Sequence, residues 1–209
     1  MISDKYLRES CLEVILPDSS VIYQDREGQR ISSDNEHLNG YLIEQYSSFS
    51  EMNLSLLELG SGCGINAFMI KKSFPNYSIK GIEFDDEQVG LSKYNNELQK
   101  LDIEFKQADL KTFESCGYDI IISNPPYRKL GSGRLSSSSK RNLARFEVEC
   151  TMSDVIESVK RNLKPNGVAY LLYPIDRECE FVKESQKRLL HIIDKVYFDK
   201  VLIIGVKNV

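Results

Sequence analysis

Asn124, Pro125, Pro126 and Tyr127 follow directly on the apolar run Tyr118-Asp119-Ile120-Ile121-Ile122-Ser123. That run is short, β-branched and bounded by turn residues, which predicts a buried parallel strand ending at the tetrapeptide. Proline after Asn124 keeps the asparagine extended, and two successive prolines supply carbonyls without N–H donors. The Asn124 side-chain oxygen and the Pro125 carbonyl can both accept from one exocyclic NH2, while Tyr127 offers a flat face to the ring that carries it. An amino group conjugated to a planar system is a poor nucleophile because its lone pair is delocalised. Two acceptors drawing on its protons favour a pyramidal nitrogen whose lone pair can meet an electrophile. The competing reading is a plain turn with a polyproline kink, and the tetrapeptide by itself leaves both open.

A second cluster lies upstream. Gly60-Ser61-Gly62-Cys63-Gly64 places three glycines between a predicted strand, Leu54 to Leu59, and a predicted helix, Ile65 to about Ser73. Glycines there let the backbone approach a ligand, and the amides of the helix N-terminus can meet its polar groups. Glu83 stands 19 residues past Gly64 at the end of the next predicted strand, where a carboxylate can accept both hydroxyls of a ribose. Asp109 ends the third strand. Gly62-Cys63-Gly64-Ile65-Asn66-Ala67 also fits the dinucleotide fingerprint, so the loop alone does not separate a nicotinamide cofactor from another adenosine cofactor. Two features favour the latter: Glu58, an acidic residue suited to a ligand carrying a sulfonium and an amino group, and the Asn124 tip on the fourth strand.

These residues need elements to hold them. Strands at about 54–59, 78–83, 103–107, 118–123 and 168–173 alternate with helices at about 65–73, 86–100 and 153–163. A helix at about 177–190 then leads into strands 192–198 and 201–207, an antiparallel pair around Asp199-Lys200. Alternation of this kind defines a doubly wound α/β sheet, mostly parallel, whose ligands bind beyond the carboxyl ends of the strands. Before it come strands at 11–16 and 20–24 and a helix over 34–47, a short β/α lead-in. We divide one domain, residues 1–209, into a lead-in of 1–50 and a catalytic core of 51–209.

Composition narrows the classes. With 209 residues and 41% hydrophobic content the chain can build a full core, and its net charge of -4 confines any nucleic-acid contact to a local patch. Five dispersed cysteines and two histidines make neither a metal cluster nor a disulfide framework, so no metal is expected. The polar start and the lack of an apolar run near the ~20 residues of a membrane span point to a cytoplasmic protein without membrane contact. His37 and His191 read as surface or packing residues.

Taken in order, Glu58-Leu59-Gly60-Ser61-Gly62-Cys63-Gly64, Gly81-Ile82-Glu83, Ala108-Asp109 and Asn124-Pro125-Pro126-Tyr127 resemble the S-adenosylmethionine-dependent methyltransferases of amino groups. The resemblance covers about residues 54–173. It implies a seven-stranded Rossmann-like methyltransferase sheet with an antiparallel final strand and S-adenosyl-L-methionine as cofactor. It further implies that Glu58, Gly60, Gly62 and Gly64 surround the methionine part, Glu83 holds the ribose, Asp109 lies by the adenine, and Asn124 to Tyr127 present the target nitrogen. Methyl transfer from a sulfonium is an in-line displacement that needs position and desolvation, so no strong general base is required.

The tetrapeptide serves adenine N6, cytosine N4 and, in a related family, the glutamine amide of peptide release factors. Residues 23–34 are similar to the lead-in of bacterial valine-tRNA adenine-N6 methyltransferases, and 127–134 with 143–147 are similar to their loop. The chain departs from that pattern at Asp25, Gln29, Ile31 and Phe146, and its final strand pair is short. Between Arg128 and Arg145 lie six basic residues, Arg128, Lys129, Arg134, Lys140, Arg141 and Arg145, and no acidic ones, in a chain that is acidic overall. Such a segment neutralises phosphates beside the catalytic tip; a solvated surface loop is the competing reading. With no added recognition domain, an already unstacked RNA base, in tRNA by the resemblance, costs less to extrude than a duplex base. A protein glutamine substrate, a cofactor-binding module without catalysis and an NAD-dependent oxidoreductase are the alternatives.

Overall fold

A computed structural model describes residues 2, 4–16, 18–28, 30–125 and 150–209. Its core is a seven-stranded sheet. The strands that build it are β3 (Ser55–Leu59), β4 (Ser78–Glu83), β5 (Ile103–Gln107), β6 (Tyr118–Ser123), β7 (Leu163–Pro174), β8 (Leu190–Tyr197) and β9 (Val201–Asn208). They lie in the order β5-β4-β3-β6-β7-β9-β8, with β9 antiparallel to both neighbours and the remaining pairs parallel. From β3 the chain runs outward to β4 and β5, then returns to place β6 on the other side of β3. That reversal opens a crevice at the carboxyl ends of β3 and β6.

Alternating side chains split the core into two layers. Leu56, Ile120, Ile122, Leu172 and Ile203 face one side, where α2 (Ser33–Tyr46) brings Leu38 and Leu42, α3 (Ile65–Ser73) brings Phe68 and Ile70, and α4 (Asp86–Gln99) brings Leu91. Leu57, Leu59, Ile121, Leu171 and Ile204 face the other, against Val155 and Val159 of α5 (Met152–Asn162) and Phe181 of α6 (Glu178–Lys187). Near-continuous apolar strands covered on both faces are what a parallel sheet requires.

The ends of the helices are set locally. Thr151 and Asp154 form a capping box at α5, where the Thr151 N–H donates to Asp154 Oδ2 at 2.9 Å and the Asp154 N–H to Thr151 Oγ1 at 3.3 Å. Asp85 Oδ1 accepts the Glu87 N–H at 2.9 Å and starts α4.

Three boundaries differ from the sequence expectation. A helix α1 (Asp4–Ser10) precedes the lead-in, in a heptapeptide with little apolar patterning. β7 starts at Leu163 rather than Val168: Leu163 pairs with Tyr118, the register shifts, and pairing resumes at Val168 with Ile120. The chain bulges between them, and a Cβ on Gly167 would come 2.9 Å from the Tyr118 carbonyl, so only glycine fits. α6 ends at Lys187 because Leu189 adopts φ +54° and turns the chain into β8.

The lead-in hairpin, β1 (Cys11–Ile15) with β2 (Val21–Asp25), docks on α4 through the side chain of buried Asn95. Asn95 Oδ1 accepts the Tyr23 N–H at 2.8 Å, and Nδ2 donates to the carbonyls of Tyr23 at 2.8 Å and of Cys63 at 3.1 Å. One amide thus ties the hairpin to the glycine loop. No helix among the described residues is long and apolar enough to cross a membrane.

Candidate active site

The glycine loop leaves β3 by a turn that consumes its own donors. The amides of Gly60 and Ser61 both donate to the Ile82 carbonyl, at 2.9 and 3.0 Å, and the Gly64 N–H donates to the Ser61 carbonyl at 2.8 Å. The Gly62 N–H donates to Glu83 Oε2 at 2.9 Å. Gly60 and Gly62 have φ +70° and +50°, and a Cβ on either would meet open space, so both stand at the surface where a ligand can approach. Gly64 differs: its φ is +93°, and a Cβ would lie 2.7 Å from Phe68 Cζ and 2.9 Å from Phe105 Cζ. Gly64 therefore serves packing beneath the loop. Cys63 beside it is buried, and burial pushes its thiol up to about 12, which leaves it unreactive.

These features line one cleft of about 300 Å³, the low end of ligand-site volumes. Gly60, Gly62, Glu83, Asp109, Asn124 and Pro125 share its wall. Burial raises the Glu83 carboxyl above its ordinary value, against three backbone donors that favour the anion. Oε1 accepts from the amides of Phe84 at 2.7 Å and Asp85 at 3.1 Å, and Oε2 from Gly62. A carboxylate has about four acceptor sites, so roughly one remains, on Oε2. Glu83 can thus take one further hydroxyl in this arrangement, where the sequence led us to expect two. Asp109 spends Oδ1 on the Lys111 N–H at 2.9 Å, with Lys111 Nζ 3.7 Å from Oδ2. Asn124 is half-buried and Pro125 buried at the end of β6, where Ser123 Oγ donates to the Leu59 carbonyl at 2.8 Å and fixes the β3–β6 junction.

Glu58 was expected among the residues facing the ligand; the structure places it elsewhere. Two positions from Leu56 on β3, it points into the same helical layer and is buried behind the loop, off the cleft wall. Oε1 accepts from Asn66 Nδ2 at 2.8 Å and Oε2 from the Ala67 N–H at 3.2 Å, so the carboxylate anchors the first turn of α3. Asn66 Oδ1 accepts in turn from Asn35 Nδ2 at 3.1 Å and Asn39 Nδ2 at 3.0 Å. Gly64 is likewise absent from the wall.

Burial outweighs the two donors and raises the Glu58 carboxyl from 4.5 to about 8. With the folded value above the unfolded one, the contribution of this group to stability is greatest below about pH 4.5 and falls as pH rises toward about 8. Glu58→Gln is expected to remove that slope in urea midpoints measured across this window. Parallel slopes in the two proteins would mean that Glu58 is ionised throughout and that its N–H donors prevail.

Pro126, Tyr127, Arg128, Lys129, Arg134, Lys140, Arg141 and Arg145 lie outside the described residues. Among the described residues no group of three His, Cys, Asp or Glu side chains is arranged to hold a metal. Wall residues that the sequence reading passed over include Phe84, 58% exposed next to Glu83, and Arg30, Ile31 and Asn35 from the lead-in. The apolar Phe84 directly after a strand-end carboxylate was a usable signal. The lead-in residues carried only the family likeness of 23–34, because their place on the wall depends on Asn95 and Asn66, distant in sequence.

A doubly wound sheet of this strand order, with a glycine loop after β3 and a carboxylate ending β4, defines a Rossmann-like methyltransferase fold. Residues 42–172 match the model of the methyltransferase small domain family, and the chain belongs to that family. It is 40% identical over 77 residues to the release factor glutamine methyltransferase of Streptococcus pneumoniae, covering 37% of this chain and 28% of that protein. It is 28% identical over 164 residues to the tRNA1(Val) (adenine(37)-N6)-methyltransferase of Tolumonas auensis, covering 77% and 66%. The chain therefore spans from about a quarter to two thirds of the length of these two relatives. Among solved structures it resembles the ribosomal protein L11 methylase of Lactobacillus delbrueckii subsp. bulgaricus, with a TM-score of 0.67 and 16% identity over 94% of this chain and 90% of that one.

Proposed function

We propose that this protein transfers a methyl group from S-adenosyl-L-methionine to the exocyclic N6 of an adenine in RNA, with tRNA as the RNA class. The observation that carries the reading is one cleft holding the open glycine positions 60 and 62, the Glu83 carboxylate and the Asn124-Pro125 strand end together. The cofactor fits these residues: a close backbone approach at the loop, an acceptor on Glu83 for a ribose hydroxyl, and Asp109 on the adenine side. When bound it supplies a methyl on a sulfonium. The chain's own residues do the rest. Asn124 Oδ1 and the Pro125 carbonyl accept from the target NH2 and turn its lone pair toward the methyl, and the cleft excludes water around it. By the same reading Pro126 and Tyr127 act with them on the target base, and the basic residues from Arg128 to Arg145 bind RNA phosphates. In this reading residues 1–50 serve the catalytic core 51–209 within one domain, and the protein works in the cytoplasm with its RNA.

Support comes from the adenine-N6 relative, whose alignment covers about three quarters of this chain. A second reading, methylation of a glutamine amide in a protein such as a release factor, is favoured by the shorter, more identical stretch shared with the streptococcal protein. The two share a site and differ in substrate. Radiolabelled methyl transfer to unmodified tRNA and to release factor in parallel, followed by nucleoside analysis, separates them. N6-methyladenosine in tRNA is expected; label in the release factor alone would transfer the protein to the second reading, and label in neither would refute both.

A further inference from the structure

The cleft wall holds an imbalance that the glycine loop offsets only in part. A cofactor with an amino-acid end presents a carboxylate, and the usual receivers are loop amides. Here the N–H groups of Gly60, Ser61, Gly62 and Gly64 are committed within the protein, and that of Ala67 to Glu58, which leaves at most those of Cys63, Ile65 and Asn66 to meet a ligand on the wall. The wall carboxylates, Glu83, Asp85 and Asp109, repel an anion. Among the described residues two cations share the wall, Arg30 and Lys111, and Lys111 sits by Asp109 beyond the end of β5.

Arg30 is placed differently. It is exposed on the wall, and no described residue engages its guanidinium. The backbone after it is pinned: the Ile31 N–H donates to buried Gln24 Oε1 at 3.0 Å, and the Ser32 N–H to Asn35 Oδ1 at 3.1 Å. Asn35 Nδ2 then donates to Asn66 in the first turn of α3, two residues past Gly64. The loop bearing Arg30 is therefore fastened to the flank of the glycine loop.

We propose that Arg30 receives the carboxylate of the cofactor's amino-acid end, which makes the lead-in part of the cofactor site; this rests on the cofactor reading above. A guanidinium matches a carboxylate in a paired, charge-assisted geometry that a lone ammonium does not reproduce. Binding is tested by calorimetry with S-adenosylhomocysteine and with methylthioadenosine, which keeps the nucleoside and lacks the amino-acid end. Arg30→Ala is expected to weaken S-adenosylhomocysteine about tenfold or more while leaving methylthioadenosine unchanged, with Arg30→Lys between. Equal losses for both ligands, no loss for either, or a loss confined to RNA binding would overturn the proposal and leave the cofactor reading standing. Failure of the unaltered protein to bind either nucleoside would overturn both.

Discussion

Asn124→Ala is expected to lower methyl transfer by about 10²-fold or more, with cofactor affinity little changed. The magnitude follows from what the asparagine does. In the proposed mechanism its oxygen is one of two acceptors that localise the target lone pair, and their pull matters only as the nitrogen pyramidalises. Loss of such an interaction lowers kcat and kcat/KM together. The variant should fold, because Asn124 is half-buried and the junction beneath it is held by Ser123 on the Leu59 carbonyl, which the substitution leaves intact. Single-turnover transfer with labelled cofactor, alongside a binding titration, separates the two effects. Unchanged turnover would remove Asn124 from the mechanism.

Glu83→Ala acts on the other partner. Its carboxylate organises three backbone N–H groups, of Gly62, Phe84 and Asp85, as well as presenting an acceptor to the cleft. Alanine removes the ligand contact and releases the loop's central amide, so cofactor affinity is expected to fall by about 10²-fold, roughly the cost of two charged hydrogen bonds. Glu83→Gln is expected to do almost as badly. Its NH2 must face N–H donors on one side or the other, and a donor against a donor leaves both unsatisfied. Titration of S-adenosylhomocysteine into each variant checks this, and near-native affinity in Glu83→Gln would show that the backbone donors are dispensable.

The fold was legible where glycines and short β-branched runs punctuate the chain. Gly60, Gly62, Glu83 and the run before Asn124 marked strand ends that the sheet brings to one edge, because parallel order depends on periodicity carried within each segment. Glu58 was legible in principle and misread: strand alternation puts it with Leu56, inside the helical layer, whatever its charge suggested. Arg30 and Asn35 were not legible as wall residues. Nothing near them announces contact with Asn66, and the hairpin that precedes them is placed by a residue 72 positions from Tyr23. The bulge at Gly167 was not legible, since a glycine needed for close approach to Tyr118 looks the same as one that ends a helix.

Asn95 gives the molecule a shared opening mode. A two-stranded hairpin alone is marginal in water and frays on its own schedule. With the Tyr23 amide and the Cys63 carbonyl on one side chain, fraying of the hairpin and loosening of the glycine loop become a single event. Hydrogen exchange at the Tyr23 amide is therefore expected to report on the glycine loop, and a ligand gripping that loop to slow exchange in a hairpin it need not touch.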